Sequence, residues 1–371
     1  MKTMCAAEPG EKLSERKTRA LCRRAPGTEP RLREPPPPGT VPSVLLLTAG
    51  NVNYFYDRFA QRMAEALANL GVDAHVATLR DFPARDFDCC FVVGLGEVVI
   101  GHGDRAGALQ KLAEIRAASR FTALWNFESM ATCWFDKARE LLDRVGFDIL
   151  VDTNFHRQDY LVPPKLRDRY EFVHFGLTRQ ERVEISRFRN LQDVAERPIP
   201  WATVGHATDA RIAVANYLVQ SVDPSGFVYL PPLSPVTKDG PHLNEQQYQA
   251  VLRRSRFHVW CSHHGTFFME FDRFRASALA GGVPIKVVFG PLPSDRSYPF
   301  NNLLLPFEGF PSRLRGMDFF PLRDQFLAEY EALPTLEAEL VRFFDRIRAR
   351  GALAAGLMEL SNSSLIFDNM R

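Results

Sequence analysis

No two of the six cysteines are spaced Cys-x-x-Cys. They stand at 5, 22, 89, 90, 133 and 261, which argues against a zinc ribbon and points to free thiols in a reducing compartment. No run of 18 apolar residues occurs, because Glu97 interrupts the best stretch, residues 89–100, so no transmembrane helix is expected. The N-terminus is too charged to hold the apolar core of a signal peptide, and a cytoplasmic location is the expectation. Charge of one sign is also lacking. The 46 Lys+Arg against 44 Asp+Glu leave +2, which argues against a general nucleic-acid binder held by phosphate contacts. Walker A, Gly-x-Ser-x-Gly and His-Glu-x-x-His motifs are missing.

What is present is a globular composition, 46% hydrophobic and 11% aromatic over 371 residues, enough for two or three cores. Residues 1–42 differ from the rest. They hold 8 prolines, 9 Lys/Arg and 5 Asp/Glu, and such a segment cannot bury enough surface to offset its ordering entropy. A disordered Pro-rich tail is expected there.

From Ser43 onward, apolar runs alternate with helical periodicity. Residues 43–48 (SVLLLT) and Phe87–Val93 (FDCCFVV) have the continuous apolar character of buried parallel strands. Phe59, Met63, Leu67 and Leu70 recur at helical spacing, and Gly71 stands where a C-cap belongs. A strand at 121–125, a helix through Leu141 and Val145 closed by Gly146, and strands at 148–151 and 172–175 follow. A second series begins near Pro198. A strand at 200–205 leads to a helix capped by Thr208 or Asp209. Asn244 with Gln247 forms a capping box before another helix. Strands at 257–261 and 284–288 and helices near 322–333 and 336–350 complete it.

The pattern predicts βα units on mostly parallel sheets. The fold class is α/β, with two Rossmann-like domains facing across a cleft. The N-terminal domain spans 43–190, the C-terminal domain spans 191–350, and 351–371 is an extension. The junction falls near 181–197. Ligands of open α/β sheets sit outside the carboxyl ends of the strands, so the cleft is the expected site.

Several local patterns have bland readings. Gly94-Leu95-Gly96 follows a strand, but position 99 is Val where a dinucleotide fingerprint needs glycine. Asp86-Phe87-Asp88 fits a metal–nucleotide motif on paper, yet the aspartates flank a buried strand and nothing clusters with them. His263 and His264 are adjacent and point apart, so no metal is expected. His258 lies inside an apolar strand and reads as a core histidine.

Residues 248–300 carry the informative pattern. Ser255-Arg256-Phe257 leads into a strand, and Gly265 stands in the loop after it. A helix follows with Glu270 and Arg273 and ends in Gly281-Gly282-Val283-Pro284. This order resembles the donor-binding domain of GT-B glycosyltransferases. The Arg273-to-Pro284 spacing is similar to exostosin-type transferases, and the Glu270 region to bacterial spore-protein-type ones. Residues 123–128 (ALWNFE) and 201–211 (WATVGHATDAR) also have counterparts in such bacterial enzymes. The resemblance implies GT-B architecture, with 43–190 the acceptor-side domain and 191–350 the nucleotide-sugar-binding domain, and a nucleotide-sugar donor, with a UDP-sugar slightly favoured, no other cofactor and no metal. One departure stands out: eight positions after Glu270, where retaining members often carry a second glutamate, this chain has Ala278.

The residue chemistry agrees. A diphosphate suits a helix N-terminus and a nearby cation, which Gly265, Thr266 and Arg273 could supply, with Gly205, His206 and Arg211 as a second such turn. Glu270 could accept two hydrogen bonds from a ribose diol. Ser277 borders the small-residue run beside the donor. On the acceptor side the candidates for a base are Asp57, Glu128, His156 and His174. Glu128 is favoured because it follows a strand at its carboxyl end. Asn51 and Asn53 lie in the loop after the first strand, where amides could face a sugar. The expected catalytic set is Glu128, Glu270 and Arg273. The function read from this is sugar transfer from a nucleotide-sugar to the hydroxyl of a glycan, lipid, protein or small molecule. A nucleotide-sugar epimerase or hydrolase, or a non-catalytic binder, is the alternative on the same fold.

Overall fold

The computed structural model describes residues 42–50, 54–83, 85–189, 197–232, 240–262, 267–291 and 299–349. The expected tail up to residue 41, the extension 351–371, Asn51, Asn53, His263, His264, Gly265 and Thr266 lie outside the described residues.

Two sheets, parallel throughout, organise the chain. The first contains β1 (Ser43–Leu47), β2 (Asp73–Ala77), β3 (Phe87–Val93), β4 (Ser119–Asn126), β5 (Ile149–Asn154) and β6 (Tyr170–His174), in the order β2-β1-β3-β4-β5-β6. The second contains β7 (Ile199–Val204), β8 (Phe227–Tyr229), β9 (Ser255–Cys261), β10 (Val283–Val288) and β11 (Leu304–Pro306), in the order β11-β10-β9-β7-β8. Both sheets reverse their strand order once: between β1 and β3, and between β7 and β9. A crevice opens at the carboxyl ends of the strands at such a point, and it is where open α/β sheets take ligands.

The helices that cover the sheets follow the sequence signals. In the first half these are α1 (Tyr54–Asn69), α2 (Leu95–His102), α3 (Arg105–Ala118), α4 (Cys133–Val145) and α5 (Arg179–Ser186). In the second they are α6 (Asp209–Ser221), α7 (Glu245–Arg254), α8 (Phe271–Leu279), α9 (Phe310–Arg315), α10 (Phe319–Ala332) and α11 (Leu336–Ala349). Thr208 caps α6, and Asn244 with Gln247 forms a reciprocal capping box on α7. The short helix α2 starts at Leu95, inside Gly94-Leu95-Gly96, with Gly94 as its N-cap.

The last helix departs from the expected division. α11 packs on α1 and β6 of the first half, although its residues were read as part of the second. Phe343 lies 5.9 Å from the Phe91 ring and 5.4 Å from Trp125, both strand residues of the first sheet. Glu337, fully buried, accepts from Asn69 Nδ2 and from the backbone N–H of Arg179. The apolar face of α11 is thus satisfied by a partner distant in sequence.

A continuous core joins the halves. Phe59, Phe127 and Phe175 of the first gather around Phe271 of the second, with Phe175 and Phe271 5.0 Å apart. Beside it runs a buried ionic network. The segment expected as a junction opens instead as α5, with a Thr178–Glu181 capping box. Glu181 also receives Arg62 of α1 at 2.7 Å and Arg275 of α8 at 2.7 Å, and Arg58 reaches Asp272 at 2.6 Å. Burial alone would raise the Glu181 carboxyl, but Arg62 and Arg275 outweigh it and hold the group well below the carboxylate range. A depressed folded-state value stabilises the fold above the unfolded carboxylate value, and that contribution is lost as pH falls through the depressed one. Thermal melts of wild type and Glu181→Gln should therefore differ most near neutral pH and converge in strong acid. A gap between them that stays constant with pH would show that the pairing carries no such linkage.

Candidate active site

Where the second sheet reverses, three cations meet one carboxylate. Arg273, on the first turn of α8, donates from Nη1 to Val204 O at 2.8 Å and lies over the Trp260 ring. Arg211, on the first turn of α6, donates from Nε to Cys261 O at 3.1 Å and from Nη1 to His206 O at 3.2 Å. Both guanidinium groups thereby tie the ends of β7 and β9. Gly205 makes the approach possible: a Cβ there would sit 2.8 Å from Arg211 Nη1 and 3.0 Å from Arg273 Nη2.

The third cation is Lys286, which sequence reading missed. It is buried on β10 and donates to Ser262 Oγ at 2.7 Å and to Glu270 Oε2. Trp260 Nε1 donates to the same oxygen at 3.1 Å. Burial would push the Glu270 carboxyl up, but Lys286 and Arg273 overcome it and hold the group down at about 2. Glu270 is therefore ionised at every physiological pH. A signal for Lys286 was present: one lysine in VPIKVV, an otherwise apolar strand, needs a buried partner.

The other donor-side candidates divide. His206 packs edge-on against His242 at 4.8 Å. Burial, His242 and Arg211 hold it at about 4, so it is a neutral imidazole. Ser277 leaves the expected set. It is fully buried, donates to Arg273 O at 2.8 Å and meets His258 Nδ1 at 2.9 Å, so it is a packing and hydrogen-bonding residue of α8. His258 also meets Tyr248 Oη at 3.2 Å and is, as expected, a satisfied core histidine.

Glu128 stands on the facing side. It follows β4, and its backbone carbonyl is gripped by Asn126 Nδ2 at 2.7 Å and Gln158 Nε2 at 3.3 Å. Gln158 is fixed in turn by Asp152, a buried carboxylate that accepts its N–H and its side-chain amide at 2.9 Å each. The Glu128 carboxyl is half-buried and accepts from Tyr56 Oη at 3.2 Å. Burial and the neighbouring Glu97 push it up to about 8, with Glu270 across the cleft adding to the rise. Phe127, just past β4, lies 6.0 Å from Phe271, and His156, just past β5, lies 5.3 Å from Phe267, so the carboxyl ends of the two sheets face one another.

The remaining acceptor-side candidates do other work. Asp57 accepts from Thr48 Oγ1 at 2.6 Å and ties the end of β1 to α1. His174 is buried against Phe155 at 5.1 Å, and burial holds it at about 4. His156 packs on Phe267 at 5.3 Å. Among the described residues, no group of three or more His, Cys, Asp or Glu could hold a metal ion, and no helix is long and apolar enough to cross a membrane.

No family model matches the chain, and no curated protein is similar to it in sequence. Solved structures are similar in fold. One is Anabaena Alr3699/HepE in complex with UDP and glucose, at 10% identity and TM-score 0.50, covering 83% of this chain and 98% of that one. Another is an alpha-glucosyltransferase in complex with UDP and a 13-mer DNA, at 10% identity and TM-score 0.51, covering 83% of this chain and all of that one. Two parallel sheets with the same order reversal, their carboxyl ends facing and one continuous core between them, together with these likenesses, give the chain the GT-B glycosyltransferase fold.

Proposed function

We propose that the chain transfers a sugar from a nucleoside-diphosphate donor to an acceptor hydroxyl. The observation that carries this reading is the charge count at the β7/β9 crevice. Arg211, Arg273 and Lys286 bring three positive charges and Glu270 one negative, leaving two, the complement of a nucleotide-sugar's diphosphate. Gly205 leaves room for phosphate oxygens beside both guanidinium groups. With Glu270 Oε2 taken by Lys286 and Trp260, the ribose diol falls to Oε1.

The two neighbours' complexes with UDP support a uridine nucleotide as the first donor to try. The cations carry the leaving group's growing charge, so the reading needs no metal. Glu128, on the opposite wall, takes the proton of the attacking hydroxyl. The hydroxyl oxygen bonds to the anomeric carbon, the bond from that carbon to the phosphate oxygen breaks, and its electron pair leaves on the nucleoside diphosphate.

A ligand specific for the native state raises apparent stability, by ~2.7 kcal/mol at 100 times its Kd. UDP, UDP-glucose, GDP and UMP should therefore be compared by thermal shift on the full chain. Diphosphates should raise the melting temperature and UMP should raise it less, since it brings fewer phosphate oxygens to the three cations. No response to any diphosphate would overturn the donor assignment. With a responding donor, nucleotide release that depends on an added hydroxyl acceptor supports transfer, whereas release without one supports hydrolysis.

A further inference from the structure

The glycines after β3 make no dinucleotide site, yet they build something. Gly94 is left-handed (φ 75°) and caps α2. A Cβ there would sit 2.6 Å from two carbons of the Tyr56 ring and 3.1 Å from Glu97 Oε2. Only glycine lets the Tyr56 ring and the Glu97 carboxyl share this corner. Glu97 lies three residues after Gly94, in the first turn of α2, where a helix N-terminus favours a carboxylate. Tyr56, buried on α1, donates to Glu128 Oε1 at 3.2 Å, and its ring shares the Gly94 corner with the Glu97 carboxyl. A tyrosine hydroxyl has one proton to give and lone pairs to receive.

We propose that Tyr56 and Glu97 are positioning residues that hold Glu128 in a three-residue cluster, Tyr56 by donating to its carboxylate and Glu97 by bringing a second carboxyl to the same corner. The catalytic part of this inference rests on the reading of Glu128 as the base. The cluster itself rests on Gly94 and on the contacts of Tyr56. In the transfer step the acceptor's O–H proton passes to the ionised Glu128 carboxylate as the new C–O bond forms. After the nucleoside diphosphate leaves, that proton returns to solvent through the exposed side of Glu128.

Among the described residues, Tyr56 from α1, Glu97 from α2 and Glu270 from the segment before α8 act on Glu128. Their effects differ in sign. Tyr56 donates to the charged form and favours ionisation, while Glu97 and Glu270 oppose it. Tyr56→Phe and Glu97→Gln should therefore move the ionisation of Glu128 in opposite directions.

The test is carbon NMR of full-length chain labelled at glutamate Cδ, with the Glu128 signal assigned by its loss in Glu128→Gln. In wild type its midpoint should fall near pH 8. In Tyr56→Phe the midpoint should rise by about half a unit or more, and in Glu97→Gln it should fall by as much. Unmoved midpoints overturn the cluster. A fall in both variants also overturns it, because that is what simple loosening and hydration of the corner produce. If Tyr56→Phe fails to fold, 3-fluorotyrosine at position 56 keeps the shape and acidifies the hydroxyl. It should lower the midpoint, and no shift overturns the proposal. Turnover of Glu128→Gln with UDP-glucose as donor reads the other assignment separately: opposite shifts with undiminished turnover would keep the cluster and remove the base.

Discussion

Arg273→Ala is expected to lower turnover by about 10²-fold or more, corresponding to roughly 2.7 kcal/mol of lost transition-state stabilisation. The side chain is held at the mouth of the β7/β9 crevice by Val204 O and the Trp260 face, with Nη2 beside Gly205. Charge on the diphosphate grows as the bond to the sugar breaks. An interaction that strengthens along that coordinate shows its loss mainly in kcat. Arg273→Lys should recover only part, because a point charge does not reproduce the fork. The fold should tolerate the change. The side chain makes one backbone hydrogen bond to Val204 O, worth about 1 kcal/mol, and a 3.5 Å contact to His258 Nε2, and is half-buried. The measurement is steady-state kinetics on folded variant with the donor identified by thermal shift. Wild-type turnover would remove Arg273 from the site.

The fold was more legible in the sequence than the site, for reasons visible in particular residues. Apolar runs such as Phe87–Val93 can be buried on both faces only in a covered parallel strand, so the βα alternation followed directly. Caps were equally local: Gly71 and Gly146 are left-handed, and Asn244 and Gln247 bond reciprocally. Helix periodicity, by contrast, tells which face is buried and not against what. That is why the crossing of α11 to the first half could not be read.

Site residues behaved the same way. Arg273 and Glu270, and Arg211 and Gly205, were read as two separate turns, and they converge because each stands at the end of a strand or the start of a helix. Tyr56, Glu97 and Glu128 come from three elements, and no spacing rule joins residues so far apart. Ser277 shows the converse: it borders the small-residue run, but its side chain turns to Arg273 O and His258 in the core.

Glu128→Gln should lower turnover by about 10³-fold, within the range of general acid–base catalysis. The amide keeps the shape and can still receive the Tyr56 hydrogen bond, but it cannot take a proton. The pH profile separates loss of a base from loss of fit. In wild type, burial and Glu97 push the Glu128 carboxyl up to about 8, so the ionised fraction, and with it the rate, should rise through that pH. In the variant, the residual rate should lose that limb. The same group makes a prediction about stability with the opposite sign. Its folded-state value lies above that of an unfolded glutamate, so the native state binds the proton more tightly. Stability then falls as pH rises from about 4.3 toward 8. Glutamine has no charge to desolvate. Glu128→Gln should therefore be more stable than wild type at pH 8 by the order of 1 kcal/mol, allowing for the solvent that reaches a half-buried group, and no more stable below pH 4. Urea melts at pH 4, 6 and 8 read the difference. A variant that loses both turnover and stability at pH 8 would show that Glu128 serves the fold, and the base would have to be sought elsewhere on the first sheet. Gain of stability with loss of turnover is the mark of a carboxylate kept in an unfavourable place for its chemistry.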